Sequence, residues 1–569
     1  MTSLSFNSFT LNFQGLEISL KDKKITSAEE YYDDPNIKVK FSFDNNRILG
    51  HAFTDKLLYI DNISLSFKVI CANKIYFYKN GFQSWSPSEE LSHPVKQAKP
   101  FFLPLKKHFL DPISYIKVPP GSSLSHFFTY LRCGEHKLYF IPKDNHETIT
   151  HFTFNFQKKE FRIILEVGKE VLGEINFLEL NLLTDWVYWR NTSPPDRQFT
   201  WCSWYFYYRK IDEKIILDNL SKANKLPFKL NYFQIDDGWQ ESIGDWKENK
   251  KFPAGLKEMA SQIKDAGIKP GIWIAPFVVE KKSRIFQEKK DWILKNEKGK
   301  LITAGFNPLW SGFFYTLDIT RPEVQDYLSE RLDYLKQCGF NLFKCDFLYS
   351  LLIKGNHYQK NLSRNEVLQT GISLLKKMVG KEVLLGCGAP LLLSPDTYDI
   401  LRIGTDTANH WSNILGFLLN YQAMPSVYNA LHNTLTRQFL DGAFFLNDPD
   451  VAYLRKTNLS YHQNRTVIIN NYLLFYYFSF SDPIDLIDQK NLNLLQELQN
   501  YKDFKVENST ITDNIFYFEG KTLSENIYIW VNFSFEPAIV DLPANLIPIL
   551  NTERTGAFKP YETKVFKKT

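Results

Sequence analysis

The sequence predicts an α/β protein: a central (β/α)8 TIM barrel with an N-terminal antiparallel β-sandwich domain and a small C-terminal β-domain. Three observations predict it. At 569 residues the chain exceeds what one core organises, since single cores stop growing at roughly 250–300 residues. Its first third reads as short alternating apolar and polar stretches, whereas its middle carries eight apolar runs, most of them separated by amphipathic helical patterns. Short alternating segments then return at the end of the chain.

From residue 1 to 192, "NIKVKFSF", "ISLSFKVI", "KIYFYKNGF", "HKLYFIP" and "EFRIILEV" are separated by turn residues, the pattern of an antiparallel sandwich. The turn-rich "RNTSPPDR", Arg190 to Arg197, marks a domain boundary. From 193 to 496 the strand candidates are "FTWCSW", "LNYFQIDDGW", "IKPGIWIAP", "FNLFKCDF", "VLLGCGAP", "ILRIGTDT", "AFFLND" and "LLFYYFSFSD". Their number fits a closed barrel better than an open doubly wound sheet. The interval from Glu280 to Arg321 is expected to include an extended loop over the barrel mouth. From 497 to 569, "NIFYFEG", "NIYIWVNFS", "AIVDLP" and "TKVFKK" predict the C-terminal β-domain.

Composition excludes several classes. With 44% hydrophobic and 23% charged residues the chain is globular, neither disordered nor fibrous. A net charge of +5 without Lys/Arg runs gives no footprint for nucleic acid or an anionic membrane. The N-terminal stretch lacks a basic segment followed by an apolar one, and no apolar run approaches the roughly 20 residues of a membrane helix. A soluble, cytoplasmic protein is expected. The six cysteines, Cys71, Cys133, Cys202, Cys338, Cys345 and Cys387, lack C-x-x-C spacing and read as reduced core thiols. Zinc-ligand spacing, a phosphate loop and a dinucleotide fingerprint are absent from the sequence, so neither metal nor cofactor is expected.

In such barrels the active site lies at the carboxyl ends of the strands. The strand candidates end in Trp204, then Asp236 and Asp237, then Trp273, then Lys344 and Asp346, then Cys387, then Arg402 and Asp406, then Asn447 and Asp448, then Asp482. Charges crowded at one rim cost free energy unless they pair or meet a polar ligand. In "FKCDFLY", Lys344 and Asp346 stand two apart on one strand face, so they pair with each other or share a site. Acceptor carboxylates and donor Lys and Arg beside Trp faces suit a polyhydroxylated ligand, whose hydroxyls both donate and accept. Two adjacent carboxylates also suit a divalent metal, which leaves a metal-dependent lyase or isomerase open at this point.

"WCSWYFYY", "QIDDGWQ", "GDWKENKKFPAGLKEMASQIKDAGIKPGIWIAPF", "FKCDFLY", "GCGAP" and "LRIGTD", in this order, resemble the α-galactosidases of glycoside hydrolase family 36, and "NGFQSWS", Asn80 to Ser86, resembles a loop of that family's N-terminal domain. "FFLNDPDVAYLR" is similar to the family's late-barrel segment. The resemblance implies a retaining exo-α-galactosidase acting on an oligosaccharide, with Asp346 as nucleophile and Asp406 as general acid/base. Retention asks for carboxyls roughly 5–5.5 Å apart. It further implies that Asp236 and Asp237 grip the C4 and C6 hydroxyls and that Lys344 keeps Asp346 ionised while touching the sugar. Arg402 would read the C2 region, orient Asp406, or do both. Trp204 and Trp273 would be subsite walls or buried barrel residues. Cys387 would lie near C2. Trp85 would reach an active site, its own or that of a neighbouring subunit in a homo-oligomer, or pack in its own domain. The chain has "IAPF" where many members carry F-E-P-E, and "GTD" where they carry S-D-D, which leaves the aglycone side open. A galactosyltransferase like the raffinose synthases, an α-N-acetylgalactosaminidase and a catalytically silent sugar-binding protein remain as alternatives.

Overall fold

The computed structural model describes residues 2–44, 46–95, 116–143, 147–184, 196–393, 397–419 and 423–568. Each of the eight middle segments contains a strand. They are β1 Gln198–Cys202, β2 Tyr232–Ile235, β3 Lys269–Ile274, β4 Leu342–Cys345, β5 Val383–Gly386, β6 Ile400–Arg402, β7 Leu446–Asp448 with its continuation β8 Val451–Ala452, and β9 Tyr477–Phe480. All neighbours pair in parallel, in the order β7-β6-β5-β4-β3-β2-β1-β9-β8. The segment 446–452 thus touches both edges of the sheet: β7 pairs with β6, and β8 pairs with β9. The parallel sheet therefore curls back on itself, and the kink is Asp450, whose φ of 71° interrupts the strand.

Helices follow the strands because the intervening sequence supplies periodicity and caps. They are α1 Glu213–Leu220, α2 Gly255–Asp265, α3 Pro322–Cys338, α4 Arg364–Val379, α5 Val427–Thr436 and α6 Tyr461–Leu473. Asp212 caps α1 by accepting from Ile215 N, and Ser363 and Glu366 form a reciprocal capping box on α4. Pro322 opens α3 at a position that needs no N–H donor, and Gly339 ends it in the left-handed region.

Before the curled sheet, a 13-stranded antiparallel assembly wraps a separate core that includes Leu11, Phe67, Phe140 and Phe161. Its spine is two 24-residue strands, Arg47–Ile70 and Glu160–Leu183, paired antiparallel. The expected "ISLSFKVI" and "EFRIILEV" are only parts of them. Register shifts near Glu166, Val171 and Asn176 interrupt the alternation and hide the continuity. The boundary expected at 192 lies outside the described residues. At the other end, the helix Gln489–Leu498 runs across position 497, and the five-stranded C-terminal sheet begins at Lys505.

The thiol expectation needs correction. Cys71 and Cys133 form a disulfide, while Cys202, Cys338, Cys345 and Cys387 are buried free thiols. The pair is 62 residues apart in sequence, and it meets because Cys133 joins the ladder at Ile75, just beyond Cys71. No described helix is long and apolar enough to cross a membrane.

A buried polar cluster ties the N-terminal sheet to α4. His126 Nδ1 lies 2.8 Å from His151 Nδ1, so one proton serves both nitrogens. His151 Nε2 faces Glu166 at 3.3 Å, and Glu166 also accepts from Arg364 at 3.1 Å. Burial holds both imidazoles below their ordinary pKa. Burial opposes ionisation of Glu166 too, but Arg364, His151 and Lys354 outweigh it and hold the carboxyl well below its usual range. The unfolded chain therefore takes up protons below about pH 6.5 that the folded chain refuses, first on the histidines and then on Glu166. Thermal unfolding between pH 7 and 5 should show Tm falling with pH, with a shallower slope in His126→Gln. An identical slope in the variant would place the titration elsewhere.

Candidate active site

The carboxyl ends of the parallel strands form one charged rim. Ser203, just past β1, accepts from Asp236 N at 2.9 Å and so fixes the turn after β2. Asp236 Oδ2 accepts from Gln234 Nε2 at 2.7 Å and from Lys344 Nζ at 2.8 Å, and its Oδ1 accepts from Asp237 N at 2.9 Å. Burial works against the ammonium of Lys344, but Asp236 outweighs it and holds its pKa well above the ordinary value.

The ion pair expected between Lys344 and Asp346 is not the one formed: Lys344 pairs with Asp236, just past β2. Asp346 lies one residue beyond β4, its N–H still donating to the Ile274 carbonyl at 2.8 Å, and its carboxylate meets two other donors. Oδ1 accepts from Phe347 N at 2.8 Å, and Oδ2 accepts from the Trp273 indole at 3.1 Å. Phe347 has φ 59°, a left-handed conformation uncommon for an aromatic residue, so the chain turns sharply behind Asp346.

Asp237 is held from three sides. Gln240 Nε2 donates to Oδ1 at 2.6 Å, Trp310 Nε1 donates to Oδ2 at 2.9 Å, and Arg209 Nε lies 3.3 Å from Oδ1. Burial nevertheless raises its pKa above the ordinary value, against these three. Gly238 follows with φ 126°, and a Cβ there would meet the Arg209 backbone at 2.9 Å, so glycine permits this approach. Trp310 belongs to the interval expected as an extended loop. That interval instead contains an antiparallel sheet of Val278–Glu280, Thr303–Asn307 and Gly312–Thr316. The buried Glu280 secures it by accepting from Ile243 N and Ser311 N.

On the opposite side, Arg402 at the end of β6 serves three carboxylates. Its Nε donates to Asp448 at 2.8 Å, Nη1 to Asp406 at 3.2 Å, and Nη2 lies 3.0 Å from Asp450. Asp406 is the open member: its side chain is 37% accessible, against 2% for Asp448 and none for Asp450. The loss of hydrating water at this crowded rim raises its pKa, against Arg402, and the charge of Asp346 adds to the rise. Asp450 also accepts from the Tyr205 hydroxyl and from Thr407 N, and burial pushes its pKa up to about 6.

The remaining rim residues divide. Cys387, just past β5, is buried; burial and the neighbouring Asp346 push its thiol well up. Trp204 is partly buried on the short helix Trp204–Tyr207, its ring 5.3 Å from Tyr208. Trp273 is buried and serves Asp346 through its N–H. Asn447 points away from the site, donating to the Arg437 carbonyl, and Asp482 accepts from Leu454 N and Arg455 N. Trp85 comes from the N-terminal assembly of the same chain and packs 5.3 Å from Phe347. Gly388, φ 53°, admits it, since a Cβ there would stand 2.9 Å from the indole. Arg437 clamps the Asn80–Ser86 loop by donating to the Ser84 and Ser86 carbonyls at 2.7 and 3.0 Å. Arg209, Trp310, Tyr205 and Asp450 were not singled out by sequence. Two of them carried a signal: Tyr205 lies in "WCSWYFYY", and Asp450 in "NDPD" beside Asp448.

The Melibiase family model matches residues 180–372, which span β1 to β4. Over this stretch the chain is similar to the α-galactosidases of glycoside hydrolase family 36. An α-galactosidase of Lactobacillus acidophilus is 31% identical over 153 residues, 24% of this chain and 19% of that protein's own length. The match to this curated relative thus spans about a fifth of it. An α-galactosidase of Thermus thermophilus in complex with p-nitrophenyl α-D-galactopyranoside superposes with a TM-score of 0.66 at 24% identity, covering 89% of this chain and 97% of that one. Its complex with stachyose gives 0.64 at 25% identity, covering 85% and 99%. Among the described residues, no group of three or more His, Cys, Asp or Glu side chains is arranged to hold a metal ion.

Removing Lys344 leaves Asp236 buried without its counter-ion. Lys344→Met should lower unfolding free energy by about 3–5 kcal/mol in denaturant titration. A loss below about 1 kcal/mol would mean that Gln234 and the backbone suffice.

Proposed function

We propose that the chain is a retaining exo-α-galactosidase that releases terminal α-linked galactose from oligosaccharides by double displacement. The observation that carries this is the meeting of Asp346 and Asp406 at one rim, where the charge of the first raises the proton affinity of the second. That is the separation of roles a retaining glycosidase needs, one carboxylate ionised and one carboxyl able to give a proton.

In the first step an Asp346 oxygen attacks the anomeric carbon while Asp406 gives its proton to the departing oxygen. In the second, Asp406 takes a proton from water, which attacks the same carbon and frees Asp346. Trp273 and the Phe347 amide already donate to Asp346, so they orient its carboxylate without neutralising it. Asp236 and Asp237, with Lys344 and Arg209 beside them, form a second polar wall that suits the sugar's hydroxyls. Trp85 and Trp310 each pack against Phe347, the residue after Asp346, which puts aromatic faces beside these carboxylates. On this reading β1 to β9 and their helices are the (β/α)8 TIM barrel of residues 193–496, between an N-terminal domain of 1–192 and a C-terminal domain of 497–569. The α-galactosidase likenesses support it: the Thermus protein's bound p-nitrophenyl galactoside and stachyose are terminal α-galactosides.

The purified protein should hydrolyse p-nitrophenyl α-galactoside and release α-galactose first, seen by proton NMR before mutarotation. Asp346→Ala should lose at least about a thousandfold in kcat and regain turnover with azide, giving the β-galactosyl azide. First release of the β-anomer would sink the retaining mechanism; hydrolysis of α-N-acetylgalactosaminides alone would sink the substrate assignment.

Trp310→Phe keeps the ring and deletes the N–H that serves Asp237. KM should rise about tenfold with kcat changed less. An unchanged KM would remove Asp237 from substrate binding.

A further inference from the structure

Arg402 poses a difficulty for a general acid. A guanidinium 3.2 Å from Asp406 favours the ionised carboxylate and on its own would lower the pKa. The surroundings nevertheless leave the pKa of Asp406 raised. Burial and the charge of Asp346 oppose the guanidinium, and the geometry around Arg402 weakens it further. Its Nε is taken by Asp448 at 2.8 Å and its Nη2 by Asp450 at 3.0 Å, both carboxylates being fully enclosed. Two buried anions thus oppose one cation before Asp406 is counted.

The two are built to stay in place. Asp448 Oδ1 accepts from Asp450 N at 2.9 Å, and Asp450 Oδ1 accepts from Val451 N at 2.8 Å. The left-handed backbone at Asp450 occurs where β7 gives way to β8. Such a conformation is unfavourable for a residue other than glycine and persists only where its surroundings hold it. The other oxygen of Asp450 accepts from Thr407 N at 2.9 Å, on the residue next to Asp406, and from the Tyr205 hydroxyl.

We propose that Asp448 and Asp450 are positioning residues for Asp406. Together they cancel the charge of Arg402, and Asp450 anchors the peptide of Thr407, so Asp406 holds its proton beside a guanidinium and presents it to the departing oxygen. Arg402 then acts on Asp406 as a hydrogen-bond donor of fixed direction rather than as a net charge. The groups facing Asp406 are Arg402, Asp346, Lys344, Tyr205 and Asp450, with Tyr208 and Cys387 also sensing its charge. The inference rests on the α-galactosidase reading.

The test is the pH profile of kcat/KM for melibiose and for α-galactosyl fluoride, whose leaving group needs no proton. In Asp450→Asn the alkaline limb for melibiose should move down by about one pH unit, with roughly tenfold lost above the limb. The fluoride should lose less than about twofold. Asp448→Asn leaves the Thr407 anchor intact and should move the limb the same way, so it reads the charge effect even where Asp450→Asn does not fold. Equal losses on both substrates with an unmoved limb in either folded variant would overturn the proposal. Where the wild type cleaves no α-galactoside, the functional reading fails by itself. The carboxyl band of Asp406 in infrared difference titration, assigned by its absence in Asp406→Asn, still decides: a midpoint unchanged by Asp448→Asn overturns the inference, and a lower midpoint supports it.

Discussion

Six aspartates, Asp236, Asp237, Asp346, Asp406, Asp448 and Asp450, converge on one rim that offers three cations, Lys344, Arg209 and Arg402. Neutralising that excess is the constraint on which the rest of the site depends. The enclosed carboxylates take the cations: Asp236 takes Lys344, while Asp448 and Asp450 share Arg402. Asp346 is satisfied by neutral donors, an indole and a backbone amide. Asp406, which shares Arg402 with two enclosed carboxylates and has the most open side chain, is the carboxylate best placed to carry a proton.

The curled sheet supplies the charges, but parts outside it complete the rim. The N-terminal assembly inserts Trp85 against Phe347, where only a glycine at 388 leaves room, and Arg437 holds that loop through backbone carbonyls. The small sheet between β3 and α3 brings Trp310 to Asp237. These contacts enclose the rim, and in a poorly hydrated site a charge or dipole acts more strongly. The same enclosure raises the proton affinity of Asp237, Asp406 and Asp450.

Much of this was legible in the sequence. Eight apolar runs, each ending in a polar or glycine residue, located the strands, because a strand covered on both faces reads as a short unbroken apolar segment. The rim residues followed from the rule that loops after parallel strands carry chemistry. Spacing did not give the partner of Lys344. It put Lys344 and Asp346 at one site, but Lys344 reaches across to Asp236 rather than pairing along its own strand. The two long N-terminal strands were read as fragments because bulges break the period of two. Cys71 and Cys133 gave no signal at all, their pairing being a matter of neighbouring strands rather than of spacing.

The sequence by itself determined which segments become strands, which residue types crowd their carboxyl ends, and which family the chain resembles, since each depends on local pattern and on order along the chain. Only the tertiary structure decided who pairs with whom. Lys344 and Asp236 are 108 residues apart, Arg402 and Asp448 46, Trp310 and Asp237 73. Partners at such distances are chosen by how the sheet curls and where a kink such as Asp450 falls. The acidity of a carboxyl follows from those partners and from enclosure, neither of which is written in its neighbours along the chain.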